Sequence, residues 1–257
     1  MRGIVIPNLS SEHDVVKSRA CSVIATFCSL EMTDKSIYGE ILPTICQNMQ
    51  NKNLPVRVNA VMALNTLLEA PEIKEAMVGD LSIILTSILK LMNEIDLNHL
   101  VMALKEITVE FGEKISPYAV DLVKSLSESF VKYKQNAYKN SKENQANLLL
   151  MDEDCSESNQ AAEMCLDAIN NILRIDLPEE VYTSVGPTII SLFDMALLSN
   201  SPNCLEKSLS FLNIVIHKYK GSLPNDLVFY FPLLCYLISG FPHSSQINGL
   251  GELVTER

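Results

Sequence analysis

The sequence contains no tryptophan and only nine glycines in 257 residues. The glycines are scattered, with no cluster of the kind that cradles a phosphate, so nucleotide-binding folds lose most of their support. Seven cysteines are present, an odd number, and no two form a Cys-x-x-Cys pair. This excludes zinc-ribbon and thioredoxin-type motifs, and the thiols read as reduced, mostly buried residues of an intracellular protein. No His-Glu-x-x-His or Gly-x-Ser-x-Gly stretch occurs, and the four histidines, His13, His99, His217 and His243, have no zinc-ligand spacing. The longest apolar run, residues 227–238, has 12 residues interrupted by Pro232. That is short of the ~18 needed to span a membrane. The first seven residues are too short for a secretory signal. Cations are in short supply: 20 Lys and Arg face 31 Asp and Glu, for a net charge of −11. Nucleic acid and anionic membranes need a dense cationic face, so neither is expected as a partner, whereas a basic protein is compatible.

What the sequence does have is a repeat. Val61-Met62-Ala63-Leu64 recurs 40 residues later as Val101-Met102-Ala103-Leu104, and Cys21-Ser22-Val23-Ile24 lies 40 residues before the first copy. Upstream of these, Val16-Lys17-Ser18-Arg19-Ala20 matches Val56-Arg57-Val58-Asn59-Ala60 in residue type. A period near 40 belongs to paired-helix HEAT or armadillo arrays or to WD40 blades, and blades need the alternating strands, glycine turns and Trp-Asp signatures that are missing. Positions 57, 60, 61, 64, 67 and 68 form a stripe at helical spacing, apolar except for Arg57. Prolines mark helix starts at Pro55, Pro71, Pro117, Pro178, Pro202 and Pro224, where a missing N–H is tolerated.

The expected fold is therefore all-α: a HEAT-repeat α-solenoid, a right-handed superhelix of antiparallel helix pairs over residues 1–257. Five pairs are predicted, at about 14–51, 55–92, 95–136, 159–199 and 202–239. Their first helices run about 14–29, 55–69, 95–111, 159–175 and 202–217, and their second helices about 36–51, 73–92, 117–136, 180–199 and 224–239. Met164-Cys165-Leu166 and Lys207-Ser208-Leu209 realign the last two first helices at an offset of 43. Pro43, Pro187 and Pro232 stand ahead of apolar runs in second helices, where each would begin or kink the helix.

A charged insertion at 137–158 breaks the period: Met62 and Met164 are 102 residues apart, where two periods give 80. Lys132, Lys134, Lys139 and Lys142 come first, and Asp152, Glu153, Asp154 and Glu157 follow. The lysines suit the C-terminal turn of a helix, offsetting its dipole. The acids have two readings. They form a solvated, mobile loop that partly caps the next helix, or they capture Lys/Arg-rich segments of a partner. Leu148-Leu149-Leu150-Met151 would dock on the solenoid or form a short helix.

Specific residues then resemble a known family. Ile4 to Ser11, with Pro7 and Leu9, leads into Arg19-Ala20-Cys21-Ser22-Val23, similar to the "P-x-L/F-x-S" edge and "R-A-C-x-V" helix of karyopherins. Pro55-Val56-Arg57-Val58-Asn59-Ala60-Val61-Met62-Ala63-Leu64 is similar to their "P-V-(R/K)-V-x-A-A-x-A-L" helix. With the acidic insertion downstream, the pattern resembles the middle HEAT repeats of the importin-beta superfamily, in its importin-seven and importin-eight branch. Residues 1–175 carry the likeness, and 176–257 match mainly in layout. The resemblance implies a nuclear transport receptor that shuttles between cytoplasm and nucleus. It implies three kinds of partner: basic cargo such as ribosomal proteins or histones, Phe-Gly nucleoporins, and Ran-GTP gripped through a longer receptor. Family members are several times longer, so a fragment is expected, and Asp152, Glu153, Asp154 and Glu157 match the family's acidic loops in character alone.

No enzyme is expected and no cofactor or metal. Cys21 and Cys28 sit on an apolar helix face without a basic neighbour, and Glu179-Glu180 lies at a helix start, where carboxylates complement the dipole. Two alternatives to an import receptor stand: a structural HEAT scaffold, and an exportin of the same superfamily. Phe-Gly binding separates receptor from scaffold, and the sign of Ran-GTP's effect on cargo separates import from export.

Overall fold

The computed structural model describes residues 1–27, 34–95, 97–146, 153–198 and 202–218. The expected helix over 224–239, Pro224, Pro232, Cys28, His243 and the 148–151 run lie outside them. Among the described residues the fold is all helical, without a strand. The chain divides into two compact units, Met1–Phe111 and Gly112–Arg257.

The first unit contains α1 (Val5–Leu9), α2 (Asp14–Phe27), α3 (Ser36–Asn48), α4 (Leu54–Leu67), α5 (Pro71–Met77), α6 (Leu81–Glu94) and α7 (Asn98–Phe111). Helices α2, α4 and α7 carry the 40-residue repeat and pack in order, α2 on α4 and α4 on α7. Their burial follows the same register: Ala20, Ala60 and Leu100 are buried, as are Cys21, Val61 and Val101, and Ile24, Leu64 and Leu104. The repeated letters are thus one face buried three times. Helix α3 contacts α5, and α6 contacts α4 and α7, which supplies the second layer. Local chemistry sets the boundaries. The Asn53 side chain accepts from the Val56 N–H at 3.4 Å and Pro55 occupies the first turn of α4. Pro71 opens α5 in the same way.

One difference from the sequence reading has a clear physical cause. The helix expected over 73–92 is two, α5 and α6, separated by Val78-Gly79-Asp80, a β-branched residue, a glycine and an aspartate that all disfavour helix interiors. Of the two roles expected for Pro43 and Pro187, beginning or kinking a second helix, neither residue begins one: Pro43 sits inside α3 and Pro187 inside the second unit's 179–198 helix. Helix α7 ends at Phe111, where the sequence reading ends it, and Gly112 follows with φ of +44°, in the left-handed region that favours glycine. Gly112→Ala is expected to destabilise the chain by about 1 kcal/mol through this φ, read as a lowered urea midpoint.

The second unit opens with a short 3₁₀ segment (Gly112–Tyr118), followed by α8 (Ala119–Ala146), α9 (Glu153–Arg174), α10 (Glu179–Leu198) and α11 (Pro202–Lys218). Helix α8 packs along α9 and against α10, and α11 packs on α9 and α10. Helix therefore covers most of the span read as an insertion: α8 runs to Ala146 and α9 begins at Glu153. The cause is composition. The stretch after Phe130 holds four Lys and two Gln before Ala146, polar residues that are good helix formers, and Phe130, Tyr133 and Ala137 keep a buried stripe at helical spacing.

Candidate functional site

The acidic group predicted from sequence lies at the start of α9. Glu153, Asp154 and Glu157 belong to its first turns, Glu157 is exposed, and Asp152 lies outside the described residues. On the facing helix Lys134 Nζ donates to Asn159 Oδ1 at 3.1 Å, which fastens α8 to α9 one turn beyond the acids.

Several other polar groups serve as ties about one repeat long. In the first unit Arg57 donates through Nη1 and Nη2 to both carboxylate oxygens of Glu94, at 2.8 and 2.6 Å. Those bonds hold the Glu94 carboxyl below its ordinary range. Lys35 pairs with Glu72 at 2.5 Å and Lys74 with Glu110 at 2.6 Å. Asn59 Nδ2 donates to Ser18 Oγ at 2.7 Å, and Thr66 Oγ1 donates to the Ala25 carbonyl at 2.9 Å. In the second unit Lys207 pairs with Asp167, Lys218 with Asp176 at 2.9 Å, and Asn170 Nδ2 donates to the Lys207 carbonyl at 3.0 Å. Acids of α9 beyond its first turns are thus engaged with α11, whereas Glu157 has no ion pair among the described residues.

Sequence reasoning passed over a second feature, two clefts in the first unit. One, of about 490 Å³, lies beside Asp14, Lys17 and the α3–α4 turn, and the other, of about 400 Å³, lies between Arg57 and the outer side of α6. Gln50 lines both. The turn between them is fixed: Asn51 Oδ1 accepts from the Asn53 N–H at 2.7 Å, Asn51 Nδ2 donates to Asp14 at 3.3 Å, and buried Asn48 donates to the Leu9 carbonyl at 3.0 Å. The signal in the sequence is the amide-rich run from Gln47 to Asn53.

For chemistry the described residues offer little. No group of three or more His, Cys, Asp or Glu among them could hold a metal ion, and no described helix is long and apolar enough to cross a membrane. His13 and His217 are exposed, and His99 is half-buried with its carbonyl accepting from Asn65. Burial pushes the Cys21 thiol up to about 11 and that of Cys46 to about 12, and raises that of Cys165 too, which keeps all three protonated and unreactive at neutral pH.

No protein-family model matches the chain. A Dictyostelium discoideum protein named "Probable importin-7 homolog" is 31% identical over 224 residues, which cover 86% of this chain and 20% of that protein. The Arabidopsis thaliana "Importin beta-like SAD2 homolog" is 26% identical over 212 residues, 82% of this chain and 20% of the relative. Human importin-8 is 25% identical over 134 residues, 51% of this chain and 13% of the relative. The chain thus spans about one fifth of the length of the first two. Among solved structures, an engineered protein superposes with a TM-score of 0.57 at 16% identity, covering 96% of this chain and 92% of its own, a likeness of fold. A second engineered protein gives 0.53 at 13% identity, covering 96% and 94%. Helix pairs stacked at a 40-residue period, together with likeness to importins along most of its length, make this chain a member of the importin-beta superfamily, similar to the importin-7 and importin-8 branch.

Proposed function

We propose that this chain is a non-catalytic, protein-binding stretch of a nuclear transport receptor that carries basic protein cargo into the nucleus. The likeness to a protein named as an importin homologue over 86% of the chain carries the reading. The charge of −11 supports it, because an acidic surface steers Lys/Arg-rich segments such as those of ribosomal proteins or histones. The cargo contact is assigned to Asp152, Glu153, Asp154 and Glu157, of which Glu157 is exposed at the start of α9. Contact with Phe-Gly nucleoporins, release by Ran-GTP through a longer receptor, and movement between cytoplasm and nucleus belong to the same proposal.

The test is a calorimetric titration of the chain with a Lys/Arg-rich ribosomal-protein segment at low and near-physiological salt. A parallel titration uses the chain carrying Asp152→Asn, Glu153→Gln, Asp154→Asn and Glu157→Gln together. Binding is expected to weaken with salt, and the variant to lose roughly tenfold in affinity along with much of the salt dependence. Equal binding by the variant would move the cargo contact away from α9. Absence of binding at either salt would leave a scaffold reading in its place.

A further inference from the structure

The two clefts flanking the α3–α4 turn carry the opposite charge from the rest of the chain. Lys17, Lys52, Arg57 and Lys90 line them, against Asp14 in the lining and Glu94 just behind Arg57. Asp14 lies 3.7 Å from Lys17 and Glu94 is bound by Arg57, so each carboxylate is already engaged. Lys52 and Lys90 are exposed and have no ion pair or hydrogen bond among the described residues, although Lys90 lies close enough to Glu94 to act on it electrostatically. Against a chain with 31 acidic and 20 basic residues, this is a local excess of cations.

The uncharged lining has a second character. Gln50, common to both clefts, is exposed, and each carboxamide offers donors and an acceptor together. Such groups pair with the N–H and C=O of an extended main chain, which a phosphate backbone cannot reciprocate because it has no donor. The turn that presents them is held by the Asn48, Asn51 and Asn53 bonds, so its geometry is set before any ligand arrives. The clefts have volumes of about 400 and 490 Å³, and Gln50 lines both. This is room for a strand-like segment rather than one small molecule.

We propose that this groove is a second protein-binding site, one that takes an extended Asp/Glu-rich peptide, with Lys52 and Lys90 meeting its carboxylates and Gln50 meeting its main chain. The site is separate from the acidic residues of α9 and selects the opposite charge, so it does not rest on the basic-cargo reading. It allows one receptor stretch to engage two partners, or two segments of one partner, of unlike charge.

The test uses the full chain and a fluorescently labelled peptide of alternating glutamate and glycine, followed by anisotropy at low and near-physiological salt. Saturable binding is expected. Lys52→Glu with Lys90→Glu should weaken it at least about tenfold and reduce its salt dependence, since two attractions become repulsions. Gln50→Ala should weaken it about threefold with the salt dependence unchanged, as expected for one neutral hydrogen-bonding group. All three positions are exposed, and circular dichroism checks that the variants fold. Three results would each overturn the proposal: no saturable binding at low salt, equal binding by the charge-reversed variant, or displacement of the peptide by an equal concentration of a single-stranded oligonucleotide. None of them bears on the basic-cargo titration, which uses a cationic segment and different variants.

Discussion

Replacing Phe130 with alanine is expected to destabilise the chain by about 3–5 kcal/mol. Phe130 is fully buried in α8, and α8 packs along α9. The buried face of α9 mixes small residues, Ala161, Ala162, Cys165 and Ala168, with Leu166 and Ile169. The loss therefore combines the transfer term for the ring with a cavity term, since close-packed helices relax only in part. Urea unfolding of the full chain measures it, with Phe130→Leu as the companion: leucine keeps much of the apolar volume and should lose distinctly less. An alanine variant within about 1 kcal/mol of the parent would mean that the ring is not packed as described.

The second large effect is expected from a single oxygen atom. The Tyr182 hydroxyl is buried at the turn between α9 and α10. It donates to the Ile175 carbonyl at 2.8 Å, with the Leu173 carbonyl at 3.2 Å as the alternative acceptor, and accepts from the Leu177 N–H at 3.4 Å. Tyr182→Phe keeps the ring and its packing but strips these main-chain groups of their partner, at a loss of about 1–3 kcal/mol. Ile175 is only half-buried, so water recovers part of its bond and the value should fall toward the lower end. Thermal unfolding gives the magnitude. Hydrogen exchange gives the location, with faster exchange at Leu177 than in the parent; an unchanged Leu177 would show that the hydroxyl is not what closes this turn.

The architecture was largely legible because each repeat states the same physics again. One buried face, written as Cys21 to Ile24, Val61 to Leu64 and Val101 to Leu104, is enough to reveal three stacked helices even though the flanking residues vary. Pro55, Pro71 and Pro202 were readable for a similar reason, since a residue without an N–H is harmless only in a first helical turn. The extent of α8 was not legible from polarity. Lysine and glutamine after Phe130 resemble a loop when judged by hydropathy and a helix when judged by propensity, and the neighbouring α9 decides between them. Nor was the break before α6, where Gly79 gave a signal that a long apolar run overrode.

The sites were less legible than the fold. Acids at 152–157 stand together in the sequence, so they draw attention as a group, although a helix start alone accounts for several of them. The cationic groove is the reverse case. Lys17, Lys52, Arg57 and Lys90 are spread over more than seventy residues and become neighbours only when α2, α4 and α6 are stacked. Arg57 shows the difference most plainly. It is the one break in an otherwise apolar stripe, and only Glu94, 37 residues further on, explains it.

That spacing has a mechanical consequence. Within each unit the polar ties reach one period along the chain, as Lys35 to Glu72, Arg57 to Glu94, Lys74 to Glu110 and Lys207 to Asp167 do. Links arranged in series bear a common load and add their compliances, so a slight rotation tolerated at each tie accumulates along the stack while no single contact is broken. A unit built in this way behaves as a spring, able to bend around a partner by many small yieldings instead of one hinge.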